Sequence, residues 1–146
     1  YPTYQEEIDV VKRTTVNTSG DIQSVLSAEQ ILFYQQLIRK MPVADNVFDY
    51  AVKLARKTRK DSAEATEDVK KYLYWGAGPR AGQALVLSAK ARALIHGRFA
   101  VTEDDVRALA PPVLRHRLLL TFMAEAEQKS ADDVVALLLA AVPYPR

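Results

Sequence analysis

The chain has 146 residues, 49% hydrophobic and 26% charged, with a formal net charge of +2 and no cysteine. That balance suits one folded domain with its own core and excludes a disordered chain, a disulfide framework and a zinc–thiolate site. A charge so small demands neither a nucleic acid nor a membrane as partner, and no apolar run approaches the roughly 20 residues of a bilayer span.

The first element is "QEEIDVVKR", with acids leading and bases trailing, the order a helix macrodipole favours. "TTVNTSGDIQ" follows without periodicity and reads as a loop. Helical spacing resumes in "SAEQILFYQQLIRKM", where Ser27 and Gln30 suit a capping box and Ile31, Tyr34, Ile38 and Met41 fall on one face. Pro42 stops that helix and Asp45 is placed to cap the next. The segment "NVFDYAVKLARKTR" carries Val47, Phe48, Ala51, Leu54, Ala55 and Thr58 at helical spacing. Its basic end, Arg56 to Lys60, reads as a solvated helix terminus rather than a phosphate-binding run. From Asp61 to Lys71 the chain is polar with no apolar face, which predicts a surface insertion or weak helix.

After the aromatic run "YLYW" comes "GAGPRAGQALVLSAKARALIH". Gly78 serves as cap and Pro79 as first helical residue, where a missing N–H is harmless. The predicted helix to His96 places Ala81, Ala84, Leu85, Ser88, Ala91, Leu94 and Ile95 on one side, with Gly97 as a left-handed cap. "FAV" reads as extended. Thr102 and Asp105 cap "EDDVRALA", Pro111-Pro112 interrupts it, and "VLRHRLLL" runs from a short helix into an extended stretch. Ser130 and Asp133 cap the last helix, "ADDVVALLLAAV", before "PYPR". The pattern predicts an all-α bundle of about six or seven helices with minor extended pieces.

Arg80 is the one residue whose position demands an explanation. It lies in the first turn of a helix, where the partial positive charge disfavours a cation by about 0.3–1 kcal/mol. Solvent, or an acid such as Glu67 or Asp68, could relieve it. The free N–H groups of a helix start, the neighbouring glycines and a fork-shaped cation also suit an anion, phosphate above all. Gly76, Gly78 and Gly82 do not make a dinucleotide fingerprint, because the spacing is one residue too long and no βαβ unit surrounds it. No phosphate-loop motif occurs. His96 and His116 stand far apart and read as structural, so no metal site is expected. Glu103-Asp104-Asp105 and Asp132-Asp133 sit in first helical turns, which accounts for them without catalysis. No catalytic residues for an enzyme complete in itself are found.

In order, these motifs resemble the C-terminal helical lid of a MoxR-type AAA+ ATPase. "YPTYQEEIDVVKR" is similar to the segment leaving that family's ATPase core, and "VFDYAVKLARKTR" to a lid helix ending in Thr-Arg. "GAGPRAGQALVLSAKARALIHGRFAVTEDDVRALAPPVLRHRL" matches most strongly, and "SADDVVALLLAAVPYPR" resembles the family's last helix. The resemblance implies one lid domain over residues 1–146, with 1–26 a lead helix and linker from the core and 27–146 the helical lid. It implies that Arg80 is the sensor-2 residue, reaching the γ-phosphate of ATP held by an upstream core, and that Gly78, Pro79 and Ala81 flank the nucleotide. The family carries serine or a similar residue where this chain has Gly78.

By the same resemblance the parent would be a cytoplasmic, chaperone-like ATPase using ATP and Mg2+. Its partners would be the core of the same chain, neighbouring subunits of a ring, and a client or adaptor protein. The isolated chain would be no ATPase and would bind no nucleotide tightly. The opening on "YP", without methionine, agrees with a piece of a longer protein. The alternative is a DNA-binding or interaction module of the histone-fold type, suggested by "HGRFAVTEDDVRAL".

Overall fold

The computed structural model describes residues 1–16 and 23–142. The linker residues 17–22 and the closing "PYPR" therefore lie outside the described residues. Two compact units are present, Tyr1–Leu32 and a larger one from Phe33 onward, so the boundary falls inside a helix. In the first unit, helix α1 spans Tyr4–Thr14. The Glu6 carboxylate accepts from the Thr3 N–H at 2.7 Å and from the Thr3 hydroxyl at 2.8 Å, which holds a helix start that would otherwise leave donors unsatisfied. Helix α2 spans Ala28–Lys40. The expected box forms: the Ser27 N–H donates to Gln30 at 2.8 Å and the Gln30 N–H to the Ser27 hydroxyl at 3.2 Å. Neither helix buries a residue, and the predicted face of α2 leaves Ile31 and Tyr34 exposed.

The larger unit is an all-α bundle, as the periodicity predicts. Its helices are α3 (Asp45–Lys57), α4 (Glu67–Tyr72), α5 (Pro79–Ile95), α6 (Glu103–Leu114), α7 (Phe122–Ala126) and α8 (Ala131–Ala141), with a 3-10 turn at Arg115–Arg117. Helix α5 packs on α3 and α6, α6 on α8, and α4 on α7 and α8. Eight helices are thus present among the described residues, against an expected six or seven. The 61–71 stretch, expected to be a surface insertion or weak helix, leads into the short helix α4, but one that is packed: Thr66 accepts from the Val69 N–H at 3.2 Å, and Val69 and Tyr72 are buried. Two apolar side chains suffice for a helix of so few residues, too few to show a period. Strands β1 (Leu73–Trp75) and β2 (Leu119–Leu120) pair antiparallel, Leu73 opposite Leu120.

Several faces differ from the periodic reading. In α3 the core takes Tyr50 rather than Phe48, which stays 44% exposed, and Asp45 is the first helical residue behind an Ala44 cap. In α5 the buried row is Ala81, Leu85, Ala89 and Ala93 with Gly82, while Ile95 is 83% exposed. That row follows the four-residue ridge of a helix, and its small side chains let α3 and α6 approach closely. The interruption expected at Pro111-Pro112 does not occur: α6 runs through both to Leu114. An interior proline costs about 3 kcal/mol or more. Burial of Ala110, Val113 and Leu114 on either side of the pair offsets it.

A buried carboxylate ties α5 to α6. Asp105 has no exposed surface, accepts from Arg92 at 2.6 Å, and meets both terminal nitrogens of Arg98, one at 2.7 Å. It also caps α6 by accepting from the Thr102 N–H at 3.0 Å. Burial pushes its pKa up, but the Arg98, Thr102 and Arg92 hydrogen bonds outweigh that and hold the carboxyl well below the usual carboxylate range. On the other side of α6, Arg107 donates to the Tyr50 hydroxyl at 2.7 Å and to the Leu139 carbonyl at 3.1 Å, joining α3 and α8.

Two left-handed positions close helices. Gly97, at φ 67°, ends α5 as expected. Gln128, at φ 54°, ends α7, with the Lys129 N–H returning to the Ala124 carbonyl at 2.8 Å. A side chain in this conformation costs about 1–2 kcal/mol. Gln128→Gly is therefore expected to raise the melting temperature by about 2–4 °C, read by circular dichroism. An unchanged or lower melting point would show that the turn stores no such strain.

Candidate functional site

The predicted site residues stand together at the start of α5, and the end of α3 explains how they are held. Thr58 is fully buried. Its hydroxyl donates to the Ala55 carbonyl at 2.6 Å and accepts from the Ala77 N–H at 2.8 Å. Next to it, the Arg59 Nε donates to the Ala77 carbonyl at 3.0 Å. Both backbone polar groups of Ala77 are thus gripped by two consecutive side chains from one helix end. Gly76 lies against the same helix end so closely that a Cβ there would stand 2.2 Å from the Thr58 carbonyl oxygen. Only glycine fits.

From this anchor the chain turns into α5. Gly78 is the N-cap in extended conformation and Pro79 the first helical residue, as expected. A Cβ at Gly78 would meet nothing within 4 Å, so a serine could occupy that position without displacing a neighbour. The Ala81 N–H returns to the Gly78 carbonyl at 3.0 Å. Ala81 itself is fully buried and its N–H is already committed to Gly78, so unlike Gly78 and Pro79 it presents no surface to a ligand in this unit. Arg80 is exposed. Among the described residues it has no hydrogen bond or ion pair, and Glu67, one of its possible partners, is engaged by Lys70 at 2.8 Å.

Beside this turn opens a cleft of about 740 Å³, rimmed by Gly78 and Pro79 and walled by Arg59, Lys60, Tyr74 and Trp75. Lys60 stands over the Tyr74 ring at 4.8 Å, and Trp75 is 69% exposed. The remaining chemistry-bearing residues do not converge here. His96 ends α5, Asp132 pairs with Arg115 at 3.1 Å, and Asp133 caps α8 through Ser130. Among the described residues no group of three His, Asp or Glu could hold a metal. Nor is any of their helices long and apolar enough to cross a membrane.

Comparison with known proteins decides the family. Residues 65–138, half of the chain, match the AAA lid domain. The whole chain is 34% identical to the chaperone MoxR1 of Mycobacterium tuberculosis, of which it covers 38%. The chain belongs to the AAA lid domains of the MoxR family. Over 68% of its length this lid is 32% identical to protein MoxR of Paracoccus denitrificans, covering 30% of that protein. Its fold superposes over its full length on a crystal structure assigned as an ATPase from Cytophaga hutchinsonii, at a TM-score of 0.79 and 27% identity, covering 44% of that chain. The lid therefore spans less than half the length of these relatives. The family match favours the lid reading over the histone-type module.

Thr58, Arg59 and Gly76 hold the turn that leads into the candidate residues, a role the sequence does not disclose. The Thr-Arg ending of α3 was visible as a motif, but its target, Ala77, lies 18 and 19 positions further on, beyond any local pattern.

Proposed function

We propose that this lid closes over ATP and Mg2+ bound by an upstream core, with Arg80 as the sensor-2 residue. The observation that carries the reading is the state of Arg80: exposed, without an acidic partner among the described residues, and fixed in register by the anchored turn before it. A cation held there, at the positive end of the α5 dipole, is prearranged for a phosphate. When ATP is bound, its γ-phosphate supplies the negative charge that this helix start favours. Arg80 would neutralise charge that develops as the phosphoryl group transfers. Once that charge leaves, the lid loses the binding energy that favoured closure and returns to the open position.

The remaining finer readings follow from this one. The exposed apolar side chains of α2, including Phe33, Tyr34 and Leu37, suit burial against the core of the same chain. Lid rotation would pass to neighbouring subunits of a ring and through them to a client or adaptor, the work of a chaperone-like ATPase in the cytoplasm. The lid alone would neither hydrolyse ATP nor hold it tightly.

The test is Arg80→Ala in the full-length protein. Hydrolysis is expected to fall by about 10²-fold or more, the scale on which cationic clamps act, while the melting temperature of the lid stays within about a degree or two, because Arg80 is exposed and makes no hydrogen bond or ion pair among the described residues. Hydrolysis at the parental rate would end the sensor-2 reading.

A further inference from the structure

We propose that Arg59 and Trp75 form a second part of the same nucleotide site, Arg59 as an additional phosphate contact and Trp75 as a stacking wall for the base. This rests on the reading of the lid as an ATP-closing element and extends it to the cleft beside Arg80.

Arg59 is held differently from its neighbours in the basic run. Its Nε is committed to the Ala77 carbonyl at 3.0 Å, which fixes the plane of the guanidinium. Its two terminal nitrogens have no partner among the described residues, and the side chain lines the cleft. Arg56, by contrast, is engaged by Glu64 at 3.5 Å, and Lys60 rests over Tyr74. A guanidinium fixed at one nitrogen and free at two presents a parallel pair of donors at little entropic cost, the arrangement that binds phosphate in bidentate fashion. The cleft volume, about 740 Å³, lies within the usual range for a small ligand. Its rim is Gly78 and Pro79, the residues immediately before Arg80, so the cleft that Arg59 lines reaches the start of α5.

Trp75 supplies the other half of the chemistry. It is 69% exposed on strand β1, next to a turn whose backbone is fixed through Gly76 and Ala77. An exposed indole beside cationic forks suits a ligand with one flat ring and one anionic end, because stacking tolerates any base while the guanidinium takes phosphate.

The two roles separate experimentally in the full-length protein. Arg59→Gln keeps a nitrogen donor at the position of Nε, so the Ala77 carbonyl retains its partner while the fork and the charge are lost. Trp75→Leu removes the ring from an exposed position. Affinities are measured for MgATP and for inorganic pyrophosphate, with thermal melting as the control for folding. Arg59→Gln is expected to weaken both ligands on the order of tenfold, as loss of a charge-assisted pair should. Trp75→Leu is expected to weaken MgATP on the order of tenfold and leave pyrophosphate within twofold.

Parental affinities in both variants, together with lost hydrolysis in Arg80→Ala, would overturn the cleft and leave the sensor-2 reading standing. Equal weakening of MgATP and pyrophosphate by Trp75→Leu would overturn the stacking role. If Arg80→Ala hydrolyses at the parental rate the sensor-2 reading falls, and the split between the Arg59 and Trp75 variants still decides the cleft.

Discussion

Asp105→Ala is expected to destabilise the larger unit by about 3–5 kcal/mol at neutral pH, the range for removing one partner of a buried ion pair. The carboxylate it deletes is fully buried between Arg92 and Arg98 and also caps α6. Both arginines are about one-third exposed, so water can reach them and the lower end of the range applies. Against a typical total of about 5–15 kcal/mol, the loss leaves a protein that unfolds at markedly lower temperature. The effect has a pH signature. The folded carboxyl titrates below the unfolded one, whose ordinary value is about 3.9. Its stabilisation is therefore complete above that value and is lost as pH falls through the folded one. The gap between parent and variant should be full at neutral pH and begin to narrow only below about pH 4, as the unfolded carboxyl takes up its proton first. Melting curves between pH 2 and 7 check this; a constant gap at every pH would show that the carboxylate charge is not what stabilises the fold.

Gly76→Ala is expected to cost about 3 kcal/mol, from overpacking and the loss of a buried hydrogen bond together. The added methyl would stand 2.2 Å from a backbone oxygen and 2.9 Å from the Arg59 Cα, and backbone cannot rotate aside as a side chain can. Either the end of α3 or the turn must move. Movement breaks the Thr58 hydroxyl to Ala77 bond or the Arg59 to Ala77 bond, and the start of α5 loses its register. The full-length variant should then lose hydrolysis as Arg80→Ala does, but with a lowered melting point that Arg80→Ala does not share. Gly78→Ala, whose Cβ would meet nothing within 4 Å, is the control and should stay within about 1 kcal/mol of the parent's stability. Equal melting points for parent and Gly76→Ala would refute the packing argument.

How much of this was legible in the sequence depends on the distance between partners. The Ser27–Gln30 and Ser130–Asp133 caps, the Gly78-Pro79 helix start and the Gly97 stop were all readable, because each is decided within four residues. Pro111-Pro112 misled for the converse reason. Local chemistry says stop, and only the burial of Leu114 and Val113 in the assembled bundle says continue. Phe48 and Tyr50 were exchanged because both are aromatic on one helix, and the choice is made by Arg107, 57 positions from Tyr50. Asp105 was recognised as a cap but not as the partner of two arginines. At the site, Arg80 was found because it violated a local rule, whereas Thr58 and Arg59 obey every local rule and act only across space.

The pairing of Leu73 with Leu120 joins positions 47 apart and encloses α5 and α6 in one loop. The Thr121 N–H donates to the Tyr72 carbonyl at 2.9 Å, and its hydroxyl to the Lys71 carbonyl at 2.8 Å. Closing so long a loop is entropically unfavourable until the enclosed helices have already condensed. The clasp should therefore form late in folding and speed unfolding, not slow folding, when weakened. In the finished protein it ties the strand that carries Trp75, and so the turn before Arg80, to the segment that follows α6. A pull at the head of α5 would then be borne by the whole bundle rather than by a loop.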